Sequence, residues 1–131
     1  MPLLDTSFVL DVLKGDARAA ALFRLLQQES APLGLCPHVA FELYRGIARS
    51  SRPEAETRRV EDFVRALVPF EFTPQAAKAA GMLDGELERA GKQVRAFDLL
   101  IGATALHHGE AVVTRNRRDF DRIPGLEVLG Y

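Results

Sequence analysis

Two apolar residues, Leu3 and Leu4, stop abruptly at Asp5, and Phe8, Val9, Val12 and Leu13 then recur at helical spacing. The pattern predicts a short buried strand, an acid at its end and an immediate turn into a helix, with Thr6 and Ser7 as N-caps. After Gly15-Asp16, Ala20, Leu22, Phe23 and Leu26 mark a second helix over 17–28. Leu33 to Cys36, set between two prolines, reads as a second buried strand. Pro37 suits the first turn of the next helix. Along that helix Val39, Phe41, Leu43, Tyr44, Ile47 and Ala48 follow, with Glu42 among them.

The second half repeats the alternation. A polar turn over 49–53 precedes a helix over 54–67, whose apolar face carries Val60, Phe63, Val64 and Leu67. Positions 69–73 alternate apolar and polar, the period of a strand. Pro74 starts an alanine-rich helix that Gly91 ends. Positions 97–108 are nearly all apolar or small, which predicts a central, buried helix stopped by Gly109. Ala111 to Thr114 form a β-branched strand, 115–122 a polar segment beginning in a turn, and Leu126 to Leu129 a last strand. Strands alternating with helices predict an α/β fold of three layers, α/β/α, around a parallel sheet of four to five short strands. At 131 residues this is one domain, spanning 1–131.

Composition narrows the setting. Hydrophobic residues make up 47% and charged ones 27%, ordinary values for a globular domain that buries its own core. The net charge of −1 argues against broad nonspecific affinity for nucleic acid. All but three of the 17 basic residues are arginine, gathered at 45–59 and 115–122. Arginine suits bidentate contacts to phosphate and carboxylate. Cys36 is the only cysteine, so no internal disulfide forms and a reducing compartment is expected. The N-terminus lacks the pattern of a signal peptide, and no apolar run approaches the roughly 20 residues of a membrane span. A soluble, cytoplasmic protein is the expectation.

Four acids stand where solvated surface acids are not expected. Asp5 ends the first strand, Glu42 interrupts an apolar helical run, Asp98 is embedded in Ala96-Phe97-Asp98-Leu99-Leu100-Ile101, and Asp119 follows the fourth strand. A carboxylate on an apolar face must be paired, hydrogen-bonded or metal-bound. Pairing with an arginine is one solution. Several carboxylates meeting at one place repel, unless one is protonated or a cation lies among them. Mg²⁺ or Mn²⁺ suits such oxygen donors. No His or Cys cluster competes: His38 is isolated, and His107 and His108 are adjacent and diverge on a helix.

These stretches occur in a telling order. Leu3-Leu4-Asp5-Thr6-Ser7, Phe41-Glu42-Leu43-Tyr44-Arg45-Gly46, Val94 with Asp98-Leu99-Leu100-Ile101-Gly102-Ala103, and Thr114-Arg115-Asn116-Arg117-Arg118-Asp119-Phe120 follow one another along the chain. Together they resemble the PIN domain, and in particular the VapC-type ribonuclease toxins of toxin–antitoxin pairs. The resemblance runs from Leu3 to the end. It implies a PIN-like fold with Asp5, Glu42 and Asp98 as catalytic and metal-binding acids in a cleft at the carboxyl edge of the sheet. Many family members carry an acid where this chain has Asn116, so Asp119 is taken as the fourth catalytic carboxylate and Asn116 as a polar helper. Thr6 and Thr114 are assigned as hydroxyl contacts near the cleft, and Arg115 and Arg117 as contacts to RNA phosphates. The family further implies Mg²⁺ (or Mn²⁺) as cofactor and a tRNA or ribosomal RNA substrate. It also implies a VapB-like antitoxin partner and a homodimer, for which the helices over 38–67 are candidate surfaces.

Two other readings follow the same residues. One is a catalytically inactive PIN-type binding domain, to which the Asn116 departure points. The other is a phosphoaspartate phosphatase or receiver domain, which also places an Asp at a strand end. Ser7 stands where that phosphatase type needs a second Asp, and Arg115 stands after the late strand where a receiver needs a lysine.

Overall fold

Among the described residues, five two-residue strands build a parallel sheet. They are β1 (Leu3–Leu4), β2 (Gly34–Leu35), β3 (Val68–Pro69), β4 (Val112–Val113) and β5 (Val128–Leu129), in the order β3-β2-β1-β4-β5. All four pairings are parallel. The structure, a computed structural model, describes residues 1–29 and 31–131. Among the described residues, seven helices flank the sheet: α1 (Thr6–Lys14), α2 (Ala17–Gln28), α3 (Pro37–Ala48), α4 (Pro53–Arg65), α5 (Pro74–Arg89), α6 (Ala96–His107) and α7 (Arg117–Phe120). This is the α/β arrangement that the alternating pattern predicts.

The topology selects one crevice. From β1 the chain steps outward through β2 to β3, then returns to the other side of β1 for β4 and β5. The order therefore reverses between β1 and β4, and ligands of open α/β sheets bind at the carboxyl ends of strands at such a switch point. Asp5 directly follows β1, and Thr114 directly follows β4. The two ends are tied together, because the Asp5 amide donates to the Val113 carbonyl at 3.0 Å.

Burial fixes that edge in place. Leu3, Leu4, Val112 and Val113 are fully buried, as short parallel strands covered on both faces must be. Phe8 of α1 and Phe120 of α7 are the largest fully buried side chains. The helix expected to be central is so: Leu99, Ile101, Gly102, Ala103, Thr104 and Ala105 of α6 are all buried. It packs against α3, α5 and α7. Gly15 ends α1 in the left-handed conformation, φ 80°, and returns its amide to the carbonyls of Asp11 and Val12.

Three local expectations are corrected. Thr6 and Ser7 do not cap α1; they lie inside its first turn, and Asp5 occupies the cap position without a side-chain cap bond. Their hydroxyls are drawn instead to carboxylates. The strand expected over 69–73 is β3 at 68–69: Val68 and Phe70 donate to Leu33 and Leu35, and there the pairing ends. Beyond it Phe72 turns onto the His38 ring and His108 engages the Glu71 carbonyl, so the alternation reflects side-chain packing rather than a ladder. The polar segment over 115–122 contains a short helix, α7, that places Phe120 in the core.

Candidate active site

The carboxyl edge between β1 and β4 opens into a cleft of about 190 Å³. Its wall includes Asp5, Glu42 and Asp98, with Thr6, Ser7, Arg95, Arg115 and Asn116 around them. Acids 37 and 56 residues apart in sequence thus face one space. Each is brought there by a different element: Asp5 by the end of β1, Glu42 by the second turn of α3, and Asp98 by the first turn of α6.

Asp5 is 4% exposed and held from one side. Ser7 Oγ and Thr114 Oγ1 donate to its Oδ2 at 2.9 and 2.8 Å. Those hydroxyls are themselves fixed, since the Arg115 amide donates to Ser7 Oγ and the Asn116 amide to Thr114 Oγ1. Backbone after β4 thus orients two hydroxyls, and these orient the carboxylate. Oδ1 takes neither bond. Glu42 is arranged alike: Thr6 Oγ1 donates to its Oε1 at 2.8 Å, and Oε2 lies 3.5 Å from Arg95 Nη2.

Asp98 carries the electrostatic strain. Burial pushes its carboxyl up to about 7, against the opposing pull of Arg95, with Asp5 and a hydrogen bond to Asp119 adding to the rise. Arg95 Nη2 stands 3.5 Å from both Asp98 Oδ1 and Glu42 Oε2. Asp119 itself is not in the cleft wall. It stands behind Asp98, where its Oδ2 accepts the Arg95 amide at 3.1 Å.

The two arginines expected beside the cleft part company. Arg115 borders it, but its Nη1 is clamped on both oxygens of Asp11 at 2.8 and 2.9 Å. Tyr131 donates to the same carboxylate at 2.7 Å. Arg117 lies off the cleft, paired with Asp121 and packed along Gly130. Cys36 is buried, which pushes its thiol up to about 11, so it is no nucleophile. His38 packs edge-on to Phe72, and burial lowers its pKa.

Three participants escaped sequence reading: Ser7, Arg95 and Asp11. Ser7 was legible only as a cap. Arg95 sits in a connector, though its position one turn before Asp98 was a usable signal. Asp11 reads as a polar interruption of α1, and only the fold shows that Arg115 and Tyr131 meet it.

The cleft wall offers carboxylate, hydroxyl and amide oxygens, and neither histidine nor cysteine. That donor chemistry suits a hard cation over a soft one. Among the described residues, no three His, Cys, Asp or Glu side chains already form a metal cluster.

Acids thus converge on a parallel-sheet switch point, with hydroxyls fixing Asp5 and Glu42. The PIN-domain family model matches residues 3–126, and the chain belongs to that family. Within it, this chain is of the VapC type. Ribonuclease VapC2 of Haemophilus influenzae is 30% identical over 129 residues, 98% of this chain and 96% of that protein. The tRNA(fMet)-specific endonuclease VapC of Salmonella typhimurium is 38% identical over 87 residues, 66% of each. VapBC2 of Rickettsia felis, solved in complex with a DNA fragment from the promoter, superposes with a TM-score of 0.89 at 25% identity, over 98% of this chain and 97% of that one.

Proposed function

We propose that this protein is a Mg²⁺-dependent endoribonuclease, the toxic half of a VapBC-like toxin–antitoxin pair, and that it hydrolyses RNA phosphodiester bonds. The observation that carries the reading is the joint placement of Asp5, Glu42 and Asp98 on one small cleft. The relatives' names as ribonucleases and a tRNA endonuclease agree with it. So does the likeness to a VapBC complex, which supports a VapB-like antitoxin as partner.

A divalent ion fits this site on physical grounds. Three acids share a cleft in which burial, with Asp5 and Asp119 adding to it against the pull of Arg95, drives Asp98 to about 7, and the cation nearest two of them is a single arginine nitrogen. Asp5 through Oδ1, Asp98 and Glu42 would hold Mg²⁺, with Mn²⁺ as a substitute. When bound, the ion would supply a positive charge to neutralise these acids and a Lewis acid to activate the scissile phosphate and water.

The chain's own residues do the rest. Thr6 fixes Glu42 Oε1 and so positions Oε2, 3.5 Å from Arg95 Nη2, as the oxygen that Glu42 would offer to the ion. Ser7 and Thr114 hold Asp5 in register. The Asn116 side chain, on the cleft wall, offers an amide to a phosphate oxygen. Arg115, immobilised by Asp11, presents a pre-positioned charge to a neighbouring phosphate. Asp119 acts at one remove, through Arg95 and Asp98. With a net charge of −1, recognition rests on local shape and a single-stranded loop, as a tRNA or ribosomal RNA provides. Phe41 and Tyr44, exposed on α3, suit the homodimer contact.

The direct test is Asp5→Asn. Asparagine still accepts from Ser7 and Thr114 but lacks the charge. RNA cleavage with Mg²⁺ present should fall roughly a hundredfold or more, while the circular dichroism spectrum stays that of the wild type. Full cleavage by the purified variant would remove the site assignment.

A further inference from the structure

The Arg95 side chain takes no part in the hydroxyl network that fixes Asp5 and Glu42. The residue precedes α6, its backbone amide is spent on Asp119, and its side chain is 65% exposed. Yet one nitrogen, Nη2, lies at the same 3.5 Å from Glu42 Oε2 and from Asp98 Oδ1. Both carboxylates are largely shielded, at 10% and 13% exposure. A single positive atom therefore bridges two acids from different helices at the mouth of the cleft.

We infer that Arg95 is a tethered counter-cation, which holds Glu42 and Asp98 together in the absence of a divalent ion and must yield when one binds. The inference rests on the metallonuclease reading and concerns the ion's affinity for the same site. Three features carry it. The bridge joins two of the three acids proposed as ligands, so ion and guanidinium seek the same oxygens. At 3.5 Å both contacts are long for charge-assisted hydrogen bonds, so little directional bonding is lost when they break. The stem is exposed and anchored only through its backbone, so the guanidinium can swing into solvent without disturbing α6. Arg95 is thus a positioning residue that sets the ion concentration at which the site fills.

The experiment is Mn²⁺ binding to the full chain by titration calorimetry, for wild type, Arg95→Ala and Arg95→Lys. Each partly exposed pair is weak, and removing two of them together should tighten Mn²⁺ binding roughly three- to thirtyfold in Arg95→Ala. Arg95→Lys, which keeps the charge on a flexible stem, should fall between. The rise in melting temperature on adding Mn²⁺ should be larger in Arg95→Ala, because its ion-free form has lost the bridge. Equal affinity in wild type and Arg95→Ala overturns the inference, and so does weaker binding, which would make Arg95 an organiser of the site. Absence of Mn²⁺ binding in all three proteins overturns the metallonuclease reading instead.

Discussion

At the scale of single residues, the site is an exercise in fixing carboxylates. Asp5 gives one oxygen to two hydroxyls, and Glu42 gives one oxygen to a third. Each acid is thereby left with an oxygen directed by its neighbours rather than by its own rotamer freedom. Asp11 shows the same economy without facing the cleft. It is 7% exposed and receives Arg115 twice and Tyr131 once. Tyr131, which also packs edge-on against Phe8 at 5.2 Å, secures Arg115 through Asp11. Burial, and then the Asp11 carboxylate that accepts its proton, raise the Tyr131 phenol above its ordinary value of 10.0. A raised phenol contributes stability that is complete below the unfolded value and fades as pH rises past it. Tyr131→Phe should therefore cost about 1 kcal/mol at pH 7 to 9, measured by urea unfolding. The gap between wild type and variant should close above pH 10. A gap that widens with pH would mean that Tyr131 is not the donor.

At the scale of elements, short strands need close neighbours. Gly34 of β2 faces Phe70, and a Cβ at that position would stand 2.9 Å from two atoms of its ring. Phe70 is 4% exposed and stacks on His108 at 4.7 Å, so the ring has nowhere to retreat. Gly34→Ala should destabilise by about 1–3 kcal/mol, read as a lower urea midpoint with an unchanged slope. A neutral result would show that Phe70 repacks freely. The same crowding explains what the sequence could reveal and what it could not. Asp5, Glu42 and Asp98 were legible because each interrupts an apolar run, and an acid there needs a reason. The buried helix over 97–108 was legible because it lacks a polar face. The end of β3 was not, because Phe70 and Phe72 alternate with polar residues while only the first stays with the ladder. Ser7 reads as a cap because a hydroxyl in a first turn has two uses, and only the proximity of Asp5 and of Thr114, 107 residues from Ser7 along the chain, decides between them. Arg95 lay in a connector whose side-chain direction no periodicity describes.

At the scale of the whole molecule, the fold trades stability for a charged cleft. The reversal of strand order between β1 and β4 brings three acids to one edge, and hydroxyls and one arginine moderate their repulsion. Asp98 bears most of the residual cost, since burial, Asp5 and Asp119 all favour its neutral form and Arg95 opposes them only from an exposed position. Function and stability should therefore separate at this residue. Asp98→Asn keeps the side chain's shape and removes its charge. In a chelating buffer near pH 8 it should stabilise the protein by on the order of 1 kcal/mol, which for a domain of this length raises Tm by a few degrees. RNA cleavage with Mg²⁺ should fall with it, by roughly a hundredfold or more. Adding Mn²⁺ should then raise the wild-type Tm and leave that of the variant nearly unchanged, because ligand binding stabilises only the form that binds. A variant less stable than wild type in the chelating buffer would show that Arg95 already compensates the charge of Asp98, and that this corner of the cleft carries no strain for an ion to relieve.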